Sequence, residues 1–145
     1  MQFVGDSVTK IEATRSEKLP VPIKIEANVK LTDVEHKEIF AAGEKKDSVI
    51  VKYEFGVNYS DKAKITIGGA IFVFGEKKEL TSLAKAWKKK DKKLDSDLNV
   101  ALMNRAMELA YLTAIPVAKE LKLPTPLRMP RFVKEKKTEK KDYVG

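Results

Sequence analysis

The sequence predicts an α+β fold, an antiparallel sheet covered on one face by two helices, and three observations lead there. Apolar and polar residues alternate through much of the first half, the apolar spacing turns helical after Gly75, and turn residues rather than helices separate the strands. A chain of 145 residues has the size of one domain. Its hydrophobic content of 43% excludes disorder throughout, and the absence of cysteine excludes disulfides, thiolate metal sites and thiol nucleophiles.

Taken in order, residues 8–15 form a weak first strand with Ile11 and Ala13 as its inward pair. From residue 21 to 35, Val21, Ile23, Ile25, Ala27, Val29 and Leu31 take every second position, the period of a strand with one dry face and one wet face. Residues 48–59 repeat the pattern with Val49, Val51, Tyr53, Phe55, Val57 and Tyr59. Ser60 and Asp61 then turn the chain into residues 62–74, which completes a hairpin. That last strand is apolar on both faces from Gly68 onward, so it should be central or covered twice. Gly68 and Gly69 lie inside it and predict close backbone packing or a bulge, not a phosphate loop.

Leu80, Leu83, Ala84 and Trp87 fall at helical spacing and define the first helix. A second helix runs from an N-cap at Asp95, Ser96 or Asp97 to about Lys122. Between Leu98 and Ala118 its polar residues are Asn99, Asn104, Arg105, Glu108 and Thr113, which leaves well over half the circumference apolar. One sheet face does not cover such a helix, so a second copy or an apolar ligand is expected on it. Pro116 predicts a bend near Ala114 or a new segment. Beyond the helix, Leu123, Pro124, Pro126, Leu127, Met129, Pro130 and Phe132 describe an extended path that would lie over a surface. Residues 109–118, the longest charge-free apolar stretch of the second half, fall short of the about 20 needed to cross a bilayer, so no membrane insertion is expected. The first six residues lack a cationic segment followed by an apolar one, and a cytoplasmic location is the expectation.

The net charge is +8, yet residues 1–75 are neutral and the excess lies beyond them. Lys88, Lys89, Lys90, Lys92 and Lys93 form one run, and residues 134–145 read as a Lys-rich flexible tail after a single domain of residues 1–133. Among 29 cations the arginines are Arg15, Arg105, Arg128 and Arg131, a composition that argues against base readout. A basic nucleic-acid-binding module acting through the Lys run and the tail by generic phosphate attraction is the alternative function. Lys with Glu in abundance also marks adaptation to high temperature.

Catalytic chemistry is not visible. His36 is the only histidine, a solvated edge residue beside Glu35 and Glu38 with no further nitrogen or sulfur ligand to share a metal. No serine sits in the setting of an activated nucleophile. The expectation is a protein that is not an enzyme and carries no catalytic residues, no metal and no cofactor. Met103, Met107 and Tyr111, at helical spacing, suit a core or a surface that takes varied partners.

The order of four strands, two helices and a proline-rich apolar segment, with Gly69-Ala70-Ile71-Phe72 in the fourth strand, resembles the SecB family of protein-export chaperones over roughly residues 8–133. The family's Pro-containing segment ending in Asn-Phe is similar to residues 123–132, with Arg131 in place of the Asn. The resemblance implies a Greek-key sheet whose first and last positions are joined by a crossing loop, here residues 16–22, shorter than the family norm. Three strand spacings are about 14 Å and seven extended residues reach about 23 Å, so the loop is long enough. It further implies a dimer of dimers with the helices between sheets, and an ATP-independent holdase that binds unfolded or nascent polypeptides in apolar grooves. By position those grooves take Leu19 and Val21 from the loop, Met107, Tyr111 and Leu112 from the second helix, and Leu127, Met129 and Phe132 beyond it. Family members are acidic and hand clients to the SecA motor; this chain is basic, which argues against that handover. SecB-like proteins also serve as antitoxin chaperones.

Overall fold

A computed structural model describes residues 2–89 and 96–125. Four strands, β1 (Gln2–Arg15), β2 (Ile25–Ala41), β3 (Glu44–Tyr59) and β4 (Ala63–Phe74), precede two helices, α1 (Lys77–Lys89) and α2 (Ser96–Glu120). The strands form one antiparallel sheet in the order β1-β4-β3-β2. Consecutive strands β1 and β2 therefore occupy opposite edges, and residues 16–24 cross from one to the other. This is the Greek-key arrangement that the resemblance implied. β4 lies inside the sheet, as its apolar faces required.

The β3–β4 loop, residues 60–62, places Ser60 and Asp61 at φ 51° and 60°, left-handed values, and the Lys62 amide closes the turn by donating to the Tyr59 carbonyl at 2.9 Å. Asn58 supports it, donating from Nδ2 to Asp61 Oδ1 at 2.8 Å and accepting from the Asp61 amide at 2.7 Å. A second hairpin, outside the sequence expectation, joins β2 to β3 through Ala42 and Gly43, both at positive φ. The sequence hides it because the register slips between Leu31 and Asp33. Past this bulge the core positions change parity, and Val34 takes the place an unbroken period would give to Asp33.

His36 follows from the same slip. It lies on an edge strand as expected but is not solvated: it shares the core-side parity of Val34, its side chain is largely covered, and its Nε2 lies 3.2 Å from Asp47 Oδ1. The two atoms are buried and make no hydrogen bond to each other.

The helices lie over β2, β3 and β4 rather than over β1. Under them sit Val49, Val51, Phe55, Val57 and Tyr59 of β3 with Ile65, Ile67, Ile71 and Val73 of β4. Leu80, Leu83 and Trp87 of α1 close one part of this core, and Leu102, Ala106, Met107 and Ala110 of α2 another. α2 continues through Pro116 as one element rather than starting a new segment. It ends in a left-handed turn at Lys122, φ 56°, whose amide donates to the Lys119 carbonyl at 3.1 Å while the Leu123 amide donates to that of Ala118 at 2.9 Å. Leu123 is buried against the core, which ties down the departing chain.

Candidate functional site

Because the helices leave β1 uncovered, its apolar side chains remain in water. Phe3, Val4, Val8 and Ile11 are all exposed; Ile11, opposite the buried Ile67, lies on the helix-side face its period suggested but is 52% exposed because no helix covers it there, and Ala13 alone of that pair packs on the core. β1 is also an edge strand of 14 residues, with one row of backbone donors and acceptors turned away from β4.

α2 leaves less apolar surface open than its composition suggests. Met103, Leu109 and Val117 are half-buried against the core, and Leu112, 65% exposed, is a large apolar side chain of this helix that stands in solvent. The helix thus economises on cover by placing alanines and Met107 against the sheet and half-covering the rest.

The site residues expected from the sequence divide accordingly. Leu19 is half-buried, packed from the crossing loop onto the core, and Val21, on the same loop, is 93% exposed. Met107, 1% exposed, and Tyr111, also buried, belong to the interior of the chain rather than to its surface. Leu112 is open. Leu127, Met129 and Phe132 lie outside the described residues. Of the lysine run, Lys88 and Lys89 are exposed in the last turn of α1, where positive charge suits the helix dipole, and the others again lie outside. The Lys-rich tail lies outside as well.

The tyrosines beneath this surface titrate above the ordinary range. Burial raises Tyr53, with the Asp6 carboxylate adding to it; burial raises Tyr59, with Tyr111 adding; burial alone raises Tyr111. The Tyr59 hydroxyl donates to the Pro124 carbonyl at 2.9 Å. The Tyr53 hydroxyl is buried with no partner among the described residues.

The opposite face of the sheet has a different chemistry. Lys10, Glu12, Lys30, Lys52, Glu54 and Lys64 interleave across it; Glu54 accepts from Lys10 at 3.2 Å and lies 3.9 Å from Lys30. An open groove of about 710 Å³ follows this face between Asn28, Lys30, Glu54, Gly56 and Lys64. A smaller, more apolar hollow of about 430 Å³ lies between Leu83 and Ala86 of α1 and Leu98 of α2. Among the described residues no cluster of three or more His, Asp or Glu is arranged to hold a metal ion, and no helix is long and apolar enough to cross a membrane.

No family model and no curated protein matches this chain. Among solved structures, its fold is similar to that of the Mycobacterium tuberculosis SecB-like chaperone Rv1957, which was solved in complex with a ChAD peptide from the Rv1956 HigA1 antitoxin. The match is 16% identical, covers 89% of this chain and 86% of that chain, and has a TM-score of 0.49.

Proposed function

We propose that this chain is an ATP-independent holdase that retains non-native polypeptides on apolar surface and transforms nothing chemically. The observation that supports it best is that a fold with a filled core still holds Val21 and Leu112 in water. Contacts to such side chains are non-directional and gain about 25 cal/mol per Å² of apolar area buried, so one surface tolerates many client sequences. In this reading Leu19, Val21 and Leu112 offer apolar surface to clients, Met107 and Tyr111 contribute only as the packing behind it, and the resemblance adds Leu127, Met129 and Phe132.

The assembly in this reading is a homo-oligomer. The exposed edge of β1, flanked by Phe3, Val4, Val8 and Ile11, gives a second copy both strand pairing and apolar area. Clients are nascent or unfolded chains met in the cytoplasm. Delivery to SecA is not part of the proposal, because the outer sheet face interleaves Lys with Glu instead of presenting a carboxylate field.

The test is aggregation of a chemically denatured substrate diluted into a near-stoichiometric amount of this protein, at low and at high salt. Suppression in both is expected. Suppression confined to low salt would point to charge alone, and none in either would end the proposal. Val21→Glu with Leu112→Glu should abolish the effect while the fold persists, since exposed positions tolerate such changes within about 0.5 kcal/mol.

A further inference from the structure

Arg15 ends β1, and its guanidinium reaches two segments more than a hundred residues apart. Nη1 donates to the carbonyls of Leu121 at 2.9 Å and Lys122 at 2.8 Å, at the electronegative end of α2. Nε donates to the Ser16 carbonyl at 3.1 Å, and Nη2 lies 3.5 Å from that of Glu17. Its acceptors are therefore the first two residues of the crossing loop and the two that leave the helix. The helix does not need this help to terminate, because the carbonyls of Ala118 and Lys119 already accept from the Leu123 and Lys122 amides. The fork is what joins the loop to the helix end. A lysine ammonium, a point donor on a flexible stem, cannot subtend both pairs of carbonyls. This is a use for one of the few arginines in a lysine-rich chain that base or phosphate recognition does not supply.

We propose that Arg15 is the positioning residue of the polypeptide surface. It holds the crossing loop, which carries Leu19 and Val21, at a set distance from the chain that leaves α2 and that Tyr59 anchors at Pro124. An apolar client segment then meets two walls already in place and does not have to order them on binding, a cost that falls directly on affinity. This role rests on the holdase reading above.

The experiment compares wild type with Arg15→Ala, Arg15→Lys and a control, Val49→Ala, which opens a void in the core at the far end of the sheet. Affinity for a fluorescent, permanently unfolded client is measured together with amide hydrogen exchange of residues 16–19 and 121–125 and the thermal midpoint. Arg15→Ala should weaken client binding by about tenfold or more, equivalent to about 1.4 kcal/mol, and speed exchange in both segments. Arg15→Lys should restore part of the affinity. Val49→Ala should lower the midpoint and leave affinity and local exchange as they were. The role is overturned if Arg15→Ala binds as wild type does, or if the control loses as much affinity. A wild-type protein that retains no client defeats the holdase reading and this role with it, whereas equal binding by wild type and Arg15→Ala defeats the role alone.

Discussion

Gly69 lies against Tyr53 so closely that a β-carbon at position 69 would stand 2.7 Å from the tyrosine oxygen and 2.9 Å from Cζ, and would also meet the Ser7 carbonyl of β1. The glycine is there for the close approach of a neighbour. The register slip between Val8 and Lys10 falls opposite Gly69 and Gly68, so the bulge expected from the glycine pair is present, but in the partner strand.

Gly69→Ala should therefore destabilise the fold by about 1–3 kcal/mol, the usual range for overpacking. Tyr53→Phe should leave stability unchanged or raise it, because the hydroxyl it removes is buried and unpaired. The double variant should stay near Gly69→Ala, since the Ser7 carbonyl is backbone and cannot move aside. Urea midpoints of the three variants decide it; full recovery in the double variant would show that the hydroxyl alone sets the requirement.

Lys122 holds a left-handed conformation that glycine adopts without penalty. Lys122→Gly should stabilise the chain by about 0.5–1 kcal/mol, read as a raised thermal midpoint. The hydrogen bonds to Arg15 use the Lys122 carbonyl, not its side chain, so client binding should be unaffected.

Three buried tyrosines with raised pKa set the alkaline limit of the fold. A folded-state pKa above the unfolded value means that the unfolded chain ionises first as pH rises, so the contribution is complete below the ordinary value of 10.0 and is lost above it. Urea midpoints should hold to about pH 9.5 and then fall. Tyr53→Phe should flatten that fall. An identical pH profile in this variant would remove Tyr53 as a contributor and leave the loss to Tyr59 and Tyr111.

β1 should govern assembly. Val4→Lys with Val8→Lys places charge on an exposed edge strand without touching the filled core. Light scattering is expected to show the wild type as an oligomer and the variant shifted toward a single chain with native circular dichroism. A wild type that is monomeric at all concentrations would remove the assembly reading while leaving the surface at Val21 and Leu112 open to test.

Much of this was legible in the residues themselves. Alternation marked β3 and β4 because both run unbroken under the helices, and Leu80, Leu83 and Trp87 marked α1 because each of them is buried. The site was less legible. Met107 and Leu112 look equivalent on a helical wheel dominated by apolar residues, yet one is in the core and the other in water.

The pattern of apolar side chains by itself determined the central part of each strand and helix and, through the two apolar faces of β4, that this strand is interior, because such patterning is a local property of the chain. Tertiary structure alone decided that β2 changes face at its bulge, that His36 meets Asp47, that the helices pack over β2, β3 and β4 and leave most of β1 open, and that Arg15 joins the crossing loop to the end of α2. Each of these depends on one element's position relative to another, and no spacing along a single element encodes where a second element stops.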